Sequence, residues 1–321
     1  MTDKEIANFI KKSAEEEGYD LAGITEAKSL DEESDHLREW LNRGYHGTMA
    51  WMEKNFENRT DPRKVLNDAR SVISLGVNYY DHSVHGEDTA KISRYAWGDD
   101  YHVIIGEKLQ RYVNRLQKKF PSNKFIPYCD TGPVMDKAWA QRAGIGWIGK
   151  HTNVINRGIG SWIFLGEVIT DLECEFDPPA IDHCGSCREC INACPTEAIV
   201  EPYVLDANKC ISFLTIENRD EQIPPNLASK LDSWIFGCDI CQDVCPWNKK
   251  FQTTTSEPAF GPRDGFLNLK VEDIHLMTRE EFGKRFSHSP VKRAKYEGLQ
   301  RNARAVMDSR LPKNELERKN I

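Results

Sequence analysis

The stretch Cys184-Gly-Ser-Cys187-Arg-Glu-Cys190-Ile-Asn-Ala-Cys194-Pro195 places three cysteines at two-residue gaps and a fourth directly before a proline. A second set follows in nearly the same form, with Cys210 alone and then Cys238-Asp-Ile-Cys241-Gln-Asp-Val-Cys245-Pro246. A [4Fe–4S] cubane needs four converging thiolates, and two-residue gaps let one tight loop supply three of them. The pattern predicts two [4Fe–4S] clusters in a bacterial-ferredoxin-like segment that moves single electrons.

The spacing also predicts which cysteines share a cluster. In two-cluster ferredoxins the cysteine before proline binds the other cluster. By this rule one cluster is held by Cys184, Cys187, Cys190 and Cys245, and the other by Cys210, Cys238, Cys241 and Cys194. Zinc is the alternative, because Cys-x2-Cys pairs also build zinc sites, but the repeated pattern fits zinc poorly. Cys129 and Cys174 are left over and are predicted to be buried, small apolar side chains.

Length and composition suit a protein of two domains with a sizeable core. The chain has 321 residues, of which 39% are hydrophobic and 29% charged. Its net charge of -7 speaks against bulk affinity for nucleic acid. The charged start and the absence of 18 consecutive apolar residues predict a cytoplasmic protein without membrane contact. Ten cysteines in a reducing compartment point to metal binding or catalysis rather than disulfides.

Hydrophobic periodicity predicts an α+β fold. Alternating patterns predict strands, and apolar residues at helical spacing predict helices, including a long helix over 99–119 with Val103, Leu109, Val113 and Leu116 on one side. The predicted helices cover 4–17, 31–43, 99–119, 134–143 and much of 278–309, and the predicted strands cover 21–24, 71–77, 124–128 and 162–169. The order is not a regular βαβ alternation, so no parallel sheet is predicted. The expected domains are a catalytic domain over 1–176, the cluster domain over 177–250 and a helical basic tail over 251–321.

Several shorter signals are weaker. Gly144-Ile-Gly146-Trp-Ile-Gly149 spells GxGxxG, but it follows a predicted helix, whereas a dinucleotide site would follow a strand. A glycine-rich turn beside a bulky cofactor is the preferred interpretation. His102 and His151 are each more simply explained as packing residues. Asp130, which ends a predicted strand and precedes Thr131-Gly132, is a better catalytic candidate because such positions commonly carry catalytic groups.

Taken together, these motifs resemble the epoxyqueuosine reductase family over residues 1 to about 308. The resemblance is carried by Arg94-Tyr-Ala-Trp-Gly-Asp-Asp-Tyr-His102, Cys129-Asp-Thr-Gly132, Arg142-Ala-Gly-Ile-Gly146, Cys184-Gly-Ser-Cys-Arg-Glu-Cys190, Cys210-Ile-Ser-Phe-Leu-Thr215 and Gly237-Cys-Asp-Ile-Cys-Gln-Asp-Val-Cys-Pro246. The ferredoxin part alone would not be specific. The resemblance implies a reductive-dehalogenase/nitroreductase-like N-terminal α/β domain that binds cobalamin beside the clusters.

The resemblance implies reduction of epoxyqueuosine to queuosine at the wobble position of tRNA, with two electrons and two protons consumed. It also implies that Asp130 donates a proton to the opened epoxide, and burial against the corrin would raise the pKa of this carboxyl. Five further residues match cofactor-contact positions of the family: Arg59, Ser93, where a relative has cysteine, Val154, Leu165 and Ser212. For Val154 and Leu165, plain core packing is the open alternative.

The tail is shorter than in family members that continue into helical repeats and grip tRNA. From Lys284 to Lys319 there are 11 Lys/Arg and 4 Asp/Glu, an excess that suits phosphate contacts or simply a solvated basic helix. The expected partners are the tRNA anticodon loop and an external low-potential electron donor, with the protein a monomer. Two other functions stay open: a corrinoid reductive dehalogenase acting on a small molecule, and a non-enzymatic ferredoxin-type electron carrier.

Overall fold

The computed structural model describes residues 1–310, so the last part of the predicted basic tail, 311–321, lies outside the described residues. The α-helices are Asp3–Glu16, Asp31–Asn42, Phe56–Thr60, Tyr101–Lys119, Asp136–Arg142, Glu189–Ala193, Ile211–Ile216, Pro225–Ala228, Ile240–Asp243, Pro246–Phe251, Val271–Leu276, Arg279–Arg285 and Lys295–Arg310. The strands are Leu21–Glu26, Ser71–Asn78, Lys91–Ile92, Phe125–Tyr128, Trp147–Ile148, Val154–Ile155, Ile163–Thr170, Ile199–Glu201, Val204–Leu205 and Trp234–Phe236. Short 3-10 helices span Ala50–Met52, Pro62–Lys64, Arg94–Ala96, Ala207–Lys209, Pro258–Phe260, Phe266–Asn268 and Pro290–Ala294.

A four-stranded antiparallel sheet organises the first half of the chain. Its order is Leu21–Glu26, Ser71–Asn78, Ile163–Thr170 and Phe125–Tyr128. All eight residues of Ser71–Asn78 are buried because this strand has a neighbour on each side and helices on both faces. The predicted strands and helices of residues 4–169 are therefore confirmed to within about three residues at each end, the uncertainty normal for element boundaries.

The two faces of the sheet carry different helices because successive strand side chains alternate. Ile73 and Leu75 pack with the helices Asp3–Glu16 and Tyr101–Lys119, whereas Val72 packs under the helix Asp136–Arg142. Val103, however, is 54% exposed, so its predicted place on the buried side is wrong. It precedes Leu109 by six residues, about 1.7 helical turns, and therefore points to the opposite side.

A second core joins the cluster segment to the C-terminal helices. Strand Lys91–Ile92 leaves the first half of the chain and pairs in parallel with Trp234–Phe236. Ile92, Phe236 and Phe286 are fully buried in this core. Arg301, from the predicted basic tail, is also buried and donates to the carbonyls of Leu214, Asn218 and Asp220. The boundaries at residues 176 and 250 stay a prediction.

The GxGxxG segment is explained by close chain packing. Gly144 ends the helix Asp136–Arg142 with a φ of 75°, and a Cβ here would lie 2.7 Å from the carbonyl oxygen of Pro178. A Cβ on Gly146 would lie 2.4 Å from the carbonyl oxygen of Ile155. These two glycines accommodate neighbouring backbone, and the expectation of a turn beside a cofactor stays a prediction.

No helix in residues 1–310 combines the length and the apolar character needed to cross a membrane.

Candidate active site and cluster-binding region

Asp130 occupies a strained turn where strand Phe125–Tyr128 ends. Its φ is 57°, a left-handed value that costs a non-glycine residue about 1–3 kcal/mol at a functional site. The N–H of Thr131 donates to the carbonyl of Cys129 at 2.6 Å and closes a three-residue turn around it. Gly132 must follow, because a Cβ there would lie 2.1 Å from the ring of Tyr128. The Asp130 side chain is 63% exposed and faces outward.

Two side chains of the preceding helix hold the Asp130 carboxylate. The Tyr101 hydroxyl donates to Oδ2 of Asp130 at 2.6 Å, and Nε2 of His102 lies 3.3 Å from the same oxygen. Nδ1 of His102 lies 2.8 Å from Oδ1 of Asp100, which is also the N-cap that accepts from the backbone of His102. The ring of Tyr101 stacks on that of Phe164, with 4.4 Å between the ring centroids and an angle of 6° between the ring planes. The start of the helix therefore aims both donors at one carboxylate.

The proton of this group resides on the imidazole. The hydrogen bond from His102 lowers the pKa of Asp130. This effect outweighs desolvation by the surrounding protein, which would raise the same pKa. Burial would lower the pKa of His102, but hydrogen bonds and charges from Asp100 and Asp130 raise it to about 9. The expected rise in the pKa of Asp130 is thus wrong for this arrangement. So is the interpretation of His102 as a packing residue, because the imidazole faces two carboxylates.

A buried carboxyl pair supports the turn from behind. The Asp136 carboxyl receives the backbone N–H of Asp130 and faces Glu167. Glu167 is fully buried, and its Oε1 accepts a hydrogen bond from the Ser74 hydroxyl at 3.2 Å. Its Oε2 accepts no hydrogen bond within residues 1–310. Burial raises the pKa of Glu167 well above its ordinary value, so the pair keeps a proton at neutral pH.

Replacing Glu167 with glutamine is expected to reduce the loss of stability as pH rises. A raised native pKa means that the unfolded state releases a proton that the native state retains. The wild-type unfolding free energy therefore falls with pH above the unfolded pKa, by at most about 1.4 kcal/mol per pH unit. Glutamine has no such proton. Thermal unfolding of wild type, Glu167→Gln and the exposed control Glu173→Gln from about pH 5 to pH 8 measures how the unfolding free energy changes with pH. Equal slopes of the unfolding free energy against pH in wild type and Glu167→Gln would contradict the prediction.

Lys137 links Asp130 electrostatically to two of the cluster cysteines. Its side chain is exposed to solvent, and yet desolvation by surrounding protein lowers its pKa. Nζ donates to the carbonyl of Thr152 at 2.9 Å and to Asn153 Oδ1 at 3.0 Å. Its charge interacts with Asp130 and also with the thiols of Cys210 and Cys241. The space between Asp130 and these two cysteines is called the cleft below. The sequence analysis missed Lys137, although it directly follows Asp136 near the Asp130 turn.

The other predicted cofactor contacts differ in their burial and in their hydrogen-bond partners. Arg59 is half-buried beside Asp130 and Asp136, and its Nε lacks a hydrogen-bond partner in the described chain. Ser93 is buried, and its hydroxyl donates to Asp239 at 2.5 Å. Val154 and Leu165 pack in one apolar cluster with Ala140 and Ile145, as the core alternative expects. Ser212 is half-buried, and its backbone N–H approaches the sulfur of Cys210.

Four of the eight cysteines surround one cavity of about 100 Å³. Its lining includes Cys184, Cys187, Cys190 and Cys245, with Lys150, His151, His183 and Trp247. Nζ of Lys150 donates to the carbonyls of Gly185 at 2.6 Å and Cys187 at 2.8 Å and so fixes the cysteine loop. His151 is buried, with its Nε2 unpartnered in residues 1–310. The structure thus places Cys245 with the first cysteine run, although it lies 55 positions after Cys190, the nearest other member in sequence.

The other four cysteines form a neighbouring group. The thiol of Cys241 interacts electrostatically with Cys210 and Cys194, and that of Cys238 with Cys241 and Cys210. Cys241 also interacts with Cys190, so the two groups are adjacent. The backbone N–H of Ala198 donates to the sulfur of Cys194 at 3.3 Å. Such donors stabilise thiolates that bind iron.

The two groups fit cubane clusters rather than single metal ions. Among the described residues, no three His, Cys, Asp or Glu side chains converge on one ion position. In a cubane each thiolate binds a different iron, so the four sulfurs stand apart around a larger volume. Burial and neighbouring thiols raise the pKa of Cys190 to about 11. Cluster binding must therefore displace protons. Cys129 and Cys174, as predicted, are buried apolar side chains outside both groups.

Comparisons with known proteins match both the segment that contains Asp130 and the segment that contains the eight cysteines. A family model described as "Epoxyqueuosine reductase QueG, DUF1730" matches residues 59–131, and one described as "4Fe-4S double cluster binding domain" matches residues 183–248. An epoxyqueuosine reductase from Cellulophaga algicola is 46% identical over 301 residues, which cover 94% of this chain and 98% of the relative.

Two solved structures share the fold. One is an epoxyqueuosine reductase with an epoxyqueuosine-modified tRNA-Tyr stem loop, with a TM-score of 0.88 and 30% identity, covering 95% of this chain and 81% of that one. The other is the Bacillus subtilis epoxyqueuosine reductase with its catalytic aspartate loop swung out of the active site. It has a TM-score of 0.87 and 29% identity, covering 95% of this chain and 82% of that one.

Proposed function

The chain belongs to the epoxyqueuosine reductase family and is an oxidoreductase, and we propose that it reduces epoxyqueuosine to queuosine at the wobble position of tRNA. The observation that carries this proposal is the cleft between Asp130 and the thiols of Cys210 and Cys241, with Lys137 in electrostatic contact with both sides. A proton donor and an electron source thus face one space. Reduction of an epoxide needs both.

Cobalamin is the cofactor that the family resemblance implies for this cleft. When bound, it supplies a low-potential cobalt centre that passes electrons to the epoxide. Arg59 fits such a group because its buried Nε has no partner among the residues described. Lys137 interacts electrostatically with Asp130 and Cys210, and the backbone N–H of Ser212 approaches the sulfur of Cys210, so both would contact it from the cluster side. For Ser93 a contact is less well supported, because its hydroxyl is already bound to Asp239.

The protein's own residues supply orientation and protons. Asp130 donates a proton to the oxygen that leaves the opened epoxide, which lowers the barrier by general acid catalysis. Tyr101 and His102 fix its carboxyl group, and Phe164 fixes Tyr101 by stacking. The two cysteine groups would hold clusters that relay electrons from an external low-potential donor, and the groups interact electrostatically at Cys190 and Cys241. The solved relative's catalytic aspartate loop supports this role for the Asp130 turn.

The described part of the tail offers cations for tRNA phosphates. The exposed basic residues there are Lys270, Arg279, Lys284, Arg285, Lys292, Arg293, Lys295, Arg304 and Arg310. Arg293 pairs with Glu217 at 2.7 Å, and its charge interacts with Asp130 and Tyr101, so this part of the tail borders the cleft. Arg301 is excluded because it is buried on backbone carbonyls. A tRNA substrate and eight thiolate ligands both suit the cytoplasm.

Anaerobic turnover tests the proposal. Protein reconstituted with iron, sulfide and cobalamin would receive a strong reductant and tRNA bearing epoxyqueuosine, and its nucleosides would be read by mass spectrometry. We expect loss of one oxygen atom that depends on cobalamin, with tRNA already bearing queuosine unchanged as the control. No conversion, with clusters and cobalamin verified in place, would overturn the proposal and favour a small-molecule substrate. Failure to bind cobalamin would favour an electron carrier.

A further inference from the structure

The proposed reaction needs more protons than Asp130 alone carries. Converting the epoxide C–O–C to C=C and water consumes two electrons and two protons, and the external donor supplies the electrons through the clusters. A single carboxyl holds one proton at most, and in this group that proton resides on the imidazole of His102. A proton store in contact with Asp130 would therefore have to supply the protons that reach the leaving oxygen. This inference rests on the proposed function.

The geometry around His102 identifies that store. Both ring nitrogens face carboxylate oxygens, Nδ1 at 2.8 Å from Asp100 and Nε2 at 3.3 Å from Asp130. A neutral imidazole donates from one nitrogen and would turn the lone pair of the other toward an anion, whereas an imidazolium donates from both. The three side chains therefore form a chain in which the charged imidazole is the favoured state.

His102 also has its own access to water. It lines an open cavity of about 200 Å³ with Tyr128, Cys129 and Thr131, between the helix Tyr101–Lys119 and the strand that leads to Asp130. Lys137 and Cys241, which mark the cleft, are not among the lining residues. A proton from solvent would thus reach the imidazole without passing through the substrate cleft.

We propose that His102 is a positioning residue that supplies Asp130 with the protons it donates, and that Asp100 holds its imidazole in place. The N–H bond at Nε2 of His102 breaks, an O–H bond forms on Asp130, and Asp130 passes this proton to the leaving oxygen. The imidazole becomes neutral and regains a proton from the open cavity. The same transfer through Asp130 then delivers the second proton to the hydroxyl as it departs as water. No further oxidant or reductant is needed.

The other charged groups near this chain leave the direction of transfer intact. Tyr101, on the same helix, donates to Asp130 and stays neutral because burial raises its pKa. Burial also raises the pKa of Cys129, so its thiol carries no charge. The cations Arg59, Lys137, Arg263 and Arg293 act on Asp100 or Asp130 from four other segments and do not contact the imidazole. The carboxyl of Asp136 also acts on Asp130, from behind the turn. Tyr128 completes the titratable groups in the cavity lining.

Single-turnover rates of the cluster- and cobalamin-loaded enzyme at about pH 5.5 to pH 9.5 test the proposal. The wild type should keep its rate until pH approaches the His102 pKa of about 9. His102→Gln should depend on protonation of Asp130 alone, so it should lose about tenfold or more at pH 8, with a smaller deficit as pH falls. Asp100→Asn should move the alkaline fall of the rate to lower pH. The exposed control His36→Gln should match wild type.

A rate deficit of His102→Gln that is equal at every pH would indicate a purely structural role and overturn the proposal. NMR titration of the His102 ring carbon in oxidised, histidine-labelled enzyme gives a second readout. Its pKa should lie near 9 in wild type and fall in Asp130→Asn. An unchanged pKa in Asp130→Asn would also overturn it. If wild type fails to reduce epoxyqueuosine at any pH, the proposed function fails, and the NMR titration still decides whether the proton is shared.

Discussion

Asp130→Asn is expected to slow epoxide reduction by between about 10² and 10⁴, the usual contribution of a general acid. Asparagine has nearly the same shape, and its amide oxygen still accepts the hydroxyl of Tyr101. It also tolerates the left-handed backbone at this position better than most residues do. The variant should therefore fold and keep both clusters. Single-turnover rates with epoxyqueuosine-bearing tRNA, beside the iron content, measure the effect.

Asp88→Asn is the matched control for this variant. Asp88 is exposed and has a φ of 53°, so the substitution makes the same chemical change in nearly the same backbone conformation. Its turnover should equal that of wild type. Full turnover of Asp130→Asn with clusters and cobalamin in place would remove Asp130 from the mechanism. An equal loss in Asp88→Asn would instead assign the effect to general damage.

The secondary structure of the first half was predictable because its patterns are local. Ser71–Asn78 alternates between two buried faces, and helix Tyr101–Lys119 repeats its apolar residues at helical spacing. The pairing of strands was not predictable, since Leu21–Glu26 pairs with a strand some fifty residues later in the chain. Strand Lys91–Ile92 joins a core most of whose members lie beyond residue 200, and short strands of this kind leave almost no periodic signal.

The candidate site shows the same division between local and distant information. Asp130 was predicted from its place at the end of a strand, but its protonation was predicted with the wrong sign. That sign depends on His102, which lies 28 residues earlier and meets Asp130 when the helix packs on the sheet. Arg301 was counted with the basic tail, because sequence does not reveal that three backbone carbonyls receive its guanidinium.

The cysteine sets allow a prediction in which two ligand schemes give opposite results. In the proposed crossed scheme Cys245 belongs with Cys184, whereas in a sequential scheme Cys194 would take its place. Under crossing, the double variant Cys184→Ala with Cys245→Ala removes ligands from one cluster and should keep about half of the wild-type iron. Cys184→Ala with Cys194→Ala removes a ligand from each cluster and should retain little iron. Iron and sulfide analysis with EPR of the reduced protein measures both.

The sequential scheme predicts the reverse order for the two double variants, so the comparison does not depend on how completely either protein is reconstituted. Cys174→Ala, a buried cysteine outside both groups, should keep full iron and controls for the loss of a thiol. We expect the crossed scheme because the cavity beside Cys184 is lined by Cys245 but not by Cys194. Crossing also ties residues 184–194 to residues 210–245 through both clusters, so loss of either cluster should also abolish turnover by breaking the electron path to the cleft.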